Sequence, residues 1–335
     1  MKELWPLDPA TYTRHALHDG DRAWNDANCY VDLWIELLHT SGVEPTAALP
    51  FTFAVDAEGD QWTFLKFPAA DLNALYDVDV IELQIWRPIT AHLEEQLALG
   101  RPAIVEVDAF YLPDTAGTSY QLEHIKTTIG IQALDVAAQR AGYFHNAGYY
   151  ELGGPDFVGV FRLEGELTDP KYLPPYVEVV KLGVRPGRRP RLSDRALVAR
   201  SLELLGAHLA RAPLDNPFGR YGTRFGGDLD SLAGEPLTQF HRYAFATLRQ
   251  CGAAFELGAA YLRWLQANGE HDLERIVAAC DVIATTAKAL QFKVARSVNG
   301  NRPLDPSPML ATMAGAWNDM IAALSSRYGA LAHHG

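Results

Sequence analysis

The chain has 335 residues, of which 48% are hydrophobic and 21% charged, enough to bury a sizeable core and to fill two domains. A net charge of −12 speaks against general nucleic-acid binding, which needs a basic face. No apolar run reaches the roughly 18 residues of a spanning helix, and residues 1–6 carry no apolar signal core, so a cytoplasmic protein is expected, with no membrane partner.

Residues 1–23 are rich in turn formers and charge and predict no regular element. A polar run, Trp24-Asn25-Asp26-Ala27-Asn28, then ends at Cys29. Tyr30, Leu33, Trp34, Leu37 and Leu38 follow at helical spacing, which predicts a helix from Cys29 to the stop at Gly42. Asn28 suits the N-cap and Asp32 the first turn. A thiol in the first turn of a helix is where a thiolate nucleophile is stabilised, by exposed backbone N–H groups and the positive end of the helix dipole.

Residues 51–55 are apolar but too short to assign. Residues 61–67 alternate like a strand, 71–76 predict a short helix, 79–86 a strand and 89–99 a helix closed by Gly100. The strongest strand is 102–108, running into an aromatic corner at Phe110, Tyr111 and Pro113. Further strands are predicted over 126–134, at 143–148, over 157–163 and over 176–182. Residues 181–191 are rich in Pro, Gly and Arg and read as a linker. Beyond it come helices over 194–211, 236–267, 271–297 and from Pro306 or Pro308 to Tyr328, an antiparallel bundle. The glycine-rich stretch 219–227 lacks a P-loop ending and reads as an interhelical loop, whose Arg220 and Arg224 could meet a phosphate.

The expected fold class is therefore α+β: an antiparallel-sheet domain over 1–183, a linker over 184–192 and an all-α domain over 193–335. The long helices 236–267 and 271–297 could also pack against a second subunit in a homodimer. The three cysteines are far apart and support neither a disulfide framework nor a zinc site; Cys251 and Cys280 lie in apolar helical patterns and read as buried hydrophobes. His15, His18, His39 and His92 show no metal-ligand spacing, so no metal is expected.

A cysteine nucleophile needs a general base and a group that orients it. His124 and His145 are the candidates in the sheet, and Asn146 stands beside His145. Neighbours on a strand point to opposite faces, so His145 and Asn146 cannot serve one site. His124 as base with Asn146 as orienter gives the order Cys29, His124, Asn146. The other option is His145 as base with Asp108 or Asp26 as its partner.

That order, with the cysteine at a helix start, resembles papain-like thiol enzymes. The stretch Val107-Asp108-Ala109-Phe110-Tyr111-Leu112-Pro113, then Tyr120 and His124 leading into a Thr/Ile strand, resembles the N-terminal domain of the butirosin biosynthesis protein H family, carrier-protein-dependent acyltransferases of papain-like fold. Residues 28–32, 58–64, 107–115 and 143–148 also resemble the shared stretches of a bacterial domain-of-unknown-function family. The acyltransferase resemblance implies a papain-like first domain and transfer of an acyl or aminoacyl group, from a thioester on a carrier protein through Cys29, to a small amine or hydroxyl acceptor. No cofactor would be bound beyond the phosphopantetheine of the carrier.

Asp108, Tyr111, Tyr120, Lys126, Thr127 and His145 are then candidates to line the substrate channel. Papain-like enzymes often place a Gln before the cysteine to donate to the oxyanion; here that region holds Arg22, which leaves Asn25 and Asn28 as the available amides. Arg185, Arg188, Arg189 and Arg191 form a dense basic cluster, a solvated linker or a docking patch for an acidic carrier. A thiol hydrolase (amidase or peptidase) and a catalytically inactive binding module are the alternative readings.

Overall fold

The computed structural model describes residues 2–20, 22–165, 173–183, 191–300 and 304–333. The chain divides into two units whose segments interleave. The first comprises residues 1–18, 28–45 and 72–191; the second 19–27, 46–71 and 192–335. Two N-terminal segments thus group with the C-terminal helices.

Among the described residues, the first unit is built on a seven-stranded antiparallel sheet. Its strands are β1 (Lys2–Glu3), β2 (Asp79–Glu82), β3 (Ala103–Asp108), β4 (Lys126–Asp135), β5 (Arg140–His145), β6 (Gly148–Gly153) and β7 (Val177–Lys181). The order is β2-β7-β3-β4-β5-β6, with β1 paired to the end of β4. Every residue of β4 from Thr127 to Leu134 is buried, because both of its faces are covered. On one face Ile129, Ile131, Val105, Val107 and Tyr143 pack against helix α3 (Ile89–Ala98) and helix α4 (Pro155–Val160). The other face receives helix α1 (Cys29–Thr40): a methyl on Gly130 would lie 3.5 Å from the Leu33 side chain.

Residues 157–163 were expected as a strand, yet Pro155–Val160 is helical. Pro155 occupies the first turn, where its missing N–H costs nothing. Phe157 and Val160 then reach the core at helical spacing. Residues 61–67 also form no strand; a single bridge joins Ala57 to Trp62, and the short helix α2 (Ala69–Tyr76) follows.

The second unit contains α5 (Asp194–Leu209), α6 (Pro217–Leu232), α7 (Leu237–Ala244), α8 (Gln250–Ala267), α9 (Glu274–Gly300) and α10 (Ser307–Tyr328). The glycine-rich stretch expected as a loop is the helix α6. Asn216 caps it by accepting from Phe218 N at 3.0 Å, Pro217 opens it, and Phe218, Tyr221 and Phe225 bury one face. That apolar stripe outweighs the backbone entropy of its glycines. Trp62 explains why residues 46–71 join this unit: its ring packs on Phe218, Tyr221 and Phe255 at 5.0, 5.8 and 6.5 Å between centroids. Residues 19–27 are held as tightly. Trp24 is buried, its Nε1 donates to Ala284 O at 3.0 Å, and a Cβ on Gly252 would come within 2.3 Å of its ring.

Candidate functional site

Cys29 is the first residue of α1 and partly exposed. Asn28, in an extended conformation, caps the helix by accepting from Tyr30 N at 3.0 Å and Val31 N at 2.9 Å. Its carbonyl oxygen is thereby committed to the helix. Asn25 is exposed and belongs to the segment grouped with the helical unit. Cys251 and Cys280 are buried, and burial pushes both thiols well up, so neither is poised to react.

The sheet register places the two candidate histidines on opposite faces. On β4, Lys126, Thr128 and Gly130 share the face that α1 covers. Asp108 lies opposite Lys126 and so shares that face. His124, just before β4, sets Nδ1 2.6 Å from Asp108 Oδ2. The other Asp108 oxygen accepts from Phe110 N at 3.0 Å, which fixes the carboxylate at the end of β3. The imidazole stacks on Phe110, 4.3 Å between centroids and 15° between planes. With Nδ1–H donating to Asp108, Nε2 is the free acceptor, the tautomer a general base requires. The His124 side chain is 67% exposed and Asp108 27%.

Asn146 does not orient His124. β5 ends at His145, and Asn146 occupies the two-residue turn to β6, at φ 46°. Asn tolerates this left-handed region better than most residues, so its place there is conformational. The carboxylate on the imidazole is Asp108, which sequence reading had assigned to the channel.

His145 points into the α3 side of the sheet. Its Nδ1 lies 2.6 Å from Asp114 Oδ2 and its Nε2 2.8 Å from Thr127 Oγ1. Tyr143 donates to the second Asp114 oxygen at 2.5 Å, and burial beside that carboxylate pushes the phenol well up. His145 and Asp114 side chains are only 2% and 4% exposed. Both ring nitrogens are engaged, so Thr127 and His145 form a closed structural network rather than a channel wall.

The other channel candidates divide similarly. Tyr111 is half-buried, and a Cβ on Gly159 would meet its ring at 2.2 Å, so this close approach requires glycine. Tyr120 donates to Asp156 at 3.0 Å. Lys126 extends to Glu106 at 2.7 Å, beside Asp108. Arg185, Arg188 and Arg189 lie outside the described residues. Arg191 donates to Ser41 O at 2.6 Å and Gly42 O at 2.9 Å, satisfying the C-terminal end of α1, where a cation complements the helix dipole. Arg220 pairs with Asp56 and Arg224 with Asp228 at 3.0 Å.

Sequence reading missed a third histidine site on the cysteine helix. His18 is fully buried, with Nδ1 on Glu36 and Nε2 3.3 Å from Asp32 Oδ1. Glu36 also accepts from Tyr12 OH at 2.5 Å and from His15 N at 3.1 Å. Burial pulls the His18 pKa down, but hydrogen bonds to Asp32 and Glu36 and their charges prevail and raise it to about 8. The available signal was Asp32 and Glu36 themselves, two carboxylates one turn apart on a helix otherwise lined with apolar residues. On β7, Glu178 accepts from Tyr30 OH at 2.5 Å and Tyr176 OH at 3.0 Å, and burial plus this carboxylate push the Tyr176 phenol up to about 12.

Among the described residues no cluster of three or more His, Cys, Asp or Glu could hold a metal ion, and no helix is long and apolar enough to cross a membrane. Residues 13–182 match the DUF1839 N-terminal domain and residues 194–326 the DUF1839 C-terminal domain. The chain therefore belongs to the two-domain DUF1839 family. It matches no curated protein.

Proposed function

We propose that this member of the DUF1839 family is a papain-like thiol acyltransferase that draws an acyl or aminoacyl group from a carrier-protein thioester. One observation carries the reading: the His124–Asp108 pair stands on the sheet face that α1 covers, and α1 begins at Cys29. The motif likeness to the butirosin biosynthesis protein H family supplies the substrate class.

In the first half-reaction His124 Nε2 takes the Cys29 proton and the thiolate attacks the thioester carbonyl. The tetrahedral intermediate collapses, the carrier's phosphopantetheine thiolate leaves, and it takes the proton from His124. In the second, His124 deprotonates an amine or hydroxyl acceptor. The acceptor attacks the acyl-Cys29 thioester, and Cys29 leaves as thiolate and takes the proton back from His124. Asp108 keeps the imidazole in the productive tautomer throughout. The Cys29 backbone N–H is the donor that α1 offers to the oxyanion, since the Asn28 cap already takes the N–H groups of Tyr30 and Val31.

Hydrolysis is the second reading, favoured by the solvent-exposed His124, where water can stand in for the acceptor. Intact-mass spectrometry after incubation with a panel of acyl-carrier thioesters tests the proposal. An adduct of acyl mass is expected on the wild type and not on Cys29→Ala. Its discharge to added amine rather than to water selects transfer. A protein that acquires no adduct from any donor, with a Cys29 thiol titrating near the ordinary value of about 8.5, would overturn the proposal in favour of a binding module.

A further inference from the structure

Between α7 and α8 the chain makes a π-helical turn, Phe245–Arg249. Such turns free carbonyls from the helical ladder and recur at functional positions. Two carbonyls of this turn accept from elsewhere: Gln250 Nε2 donates to Phe245 O at 3.3 Å, and Trp62 N donates to Ala246 O at 2.9 Å. Gln250 also accepts from Leu65 N at 3.0 Å, which fixes the neighbouring segment.

The turn displays a row of rings and cations on the helical unit. Phe64 and Phe245 lie 6.5 Å apart between centroids, and the Arg249 guanidinium sits 5.6 Å from the Phe245 ring. From α9, the Lys288 ammonium lies 4.3 Å from the Trp24 ring and 5.7 Å from Phe292. Phe64, Phe245 and Phe292 are 47%, 36% and 56% exposed. Arg249 also donates to Asp26 O at 3.1 Å, just upstream of Cys29 in the chain. The carboxylates that face these cations are Asp26 and Glu256, and Glu256 is held by Arg22 and by the N–H groups of Ala23 and Trp24. Burial, and after it the charge of Arg249, lower the Lys288 pKa against the opposing pull of Glu256 and Asp26.

We propose that this face, formed by Phe64, Phe245, Arg249, Lys288 and Phe292, docks the acidic carrier protein that delivers the thioester. The proposal rests on the acyltransferase reading above. An acidic partner is repelled by a chain of charge −12, so its contact must concentrate where cations are grouped. Two neighbouring cations supply the attraction and three exposed rings the apolar anchors, the composition of an interface centre. The linker arginine within the described residues, Arg191, is already engaged at the end of α1.

The test uses the full chain, the holo form of an acidic bacterial acyl carrier protein, and two acyl donors: that carrier's thioester and the small N-acetylcysteamine thioester. Lys288→Glu and, separately, Phe64→Ser with Phe292→Ser are expected to weaken calorimetric binding of the holo carrier by about ten-fold or more. The same variants should slow acyl-Cys29 formation from the carrier at least about ten-fold more than from the small thioester. Carrier affinity unchanged in both variants, or equal slowing with both donors, overturns the docking site. A patch that instead holds two copies of the chain together in light scattering, or binds single-stranded RNA in preference to the carrier, overturns it too. If the wild type accepts acyl from neither donor, the acyltransferase reading fails, and the binding titration alone decides whether a carrier docks here.

Discussion

Two histidine–carboxylate pairs stand on opposite faces of one sheet with the same 2.6 Å separation, His124 with Asp108 and His145 with Asp114. The side chains of the first pair are 67% and 27% exposed, those of the second 2% and 4%. The first leaves Nε2 open; the second spends it on Thr127. A base must exchange its proton with a substrate, so geometry within the pair does not distinguish them, and access does. The buried pair serves stability, because an imidazole and a carboxylate taken out of water must satisfy one another.

This contrast breaks most sharply at His124. Substitution His124→Ala is expected to slow acyl-Cys29 formation by about 10²–10⁴-fold, the usual contribution of a general base, with little change in thermal midpoint. Single-turnover mass spectrometry with the same thioester measures it, and a rate near wild type would reassign the base. The complementary variant, His145→Ala, should leave acylation close to wild type while lowering stability by about 1–3 kcal/mol, since Asp114 and Thr127 lose their buried partner. Urea unfolding provides that number; a selective loss of acylation rate with intact stability would reverse the roles of the two faces.

His18 adds a third environment, charged and buried. Its folded-state pKa is raised from 6.5 to about 8, so the stabilisation is complete below about pH 6.5 and is lost as pH rises through 8. Unfolding free energy should therefore fall by about 2 kcal/mol between pH 6 and pH 9, and the fall should vanish in His18→Gln. The smallest effect is expected at Asn146. Asn146→Ala places a less tolerant residue at φ 46°, costing about 1 kcal/mol with no change in acylation rate. A change in rate there would restore Asn146 as the orienting group.

Local signals carried far in this chain. The Asn28 cap and the spacing of Tyr30, Leu33, Trp34 and Leu37 specified α1 to its first residue, and with it the position of Cys29. The β-branched runs specified β3 and β4. These features depend on near neighbours, whose spacing is written in the chain. Elsewhere the local signal misled. Glycines in α6 and the short apolar run at 157–163 suggested the wrong elements, because the buried faces that decide them belong to distant partners.

The sequence by itself determined that a cysteine opens a capped helix in an α+β unit followed by helices. Tertiary structure alone decided that Asp108 rather than Asn146 meets His124, that His145 is sealed by Asp114 and Thr127, that Arg191 closes α1, and that residues 19–27 and 46–71 belong with the helical unit. The physical reason is range. A cap and an apolar period act over a turn or a strand. The partner of a polar side chain is set by sheet register and by packing between segments as far apart as Trp24 and Ala284.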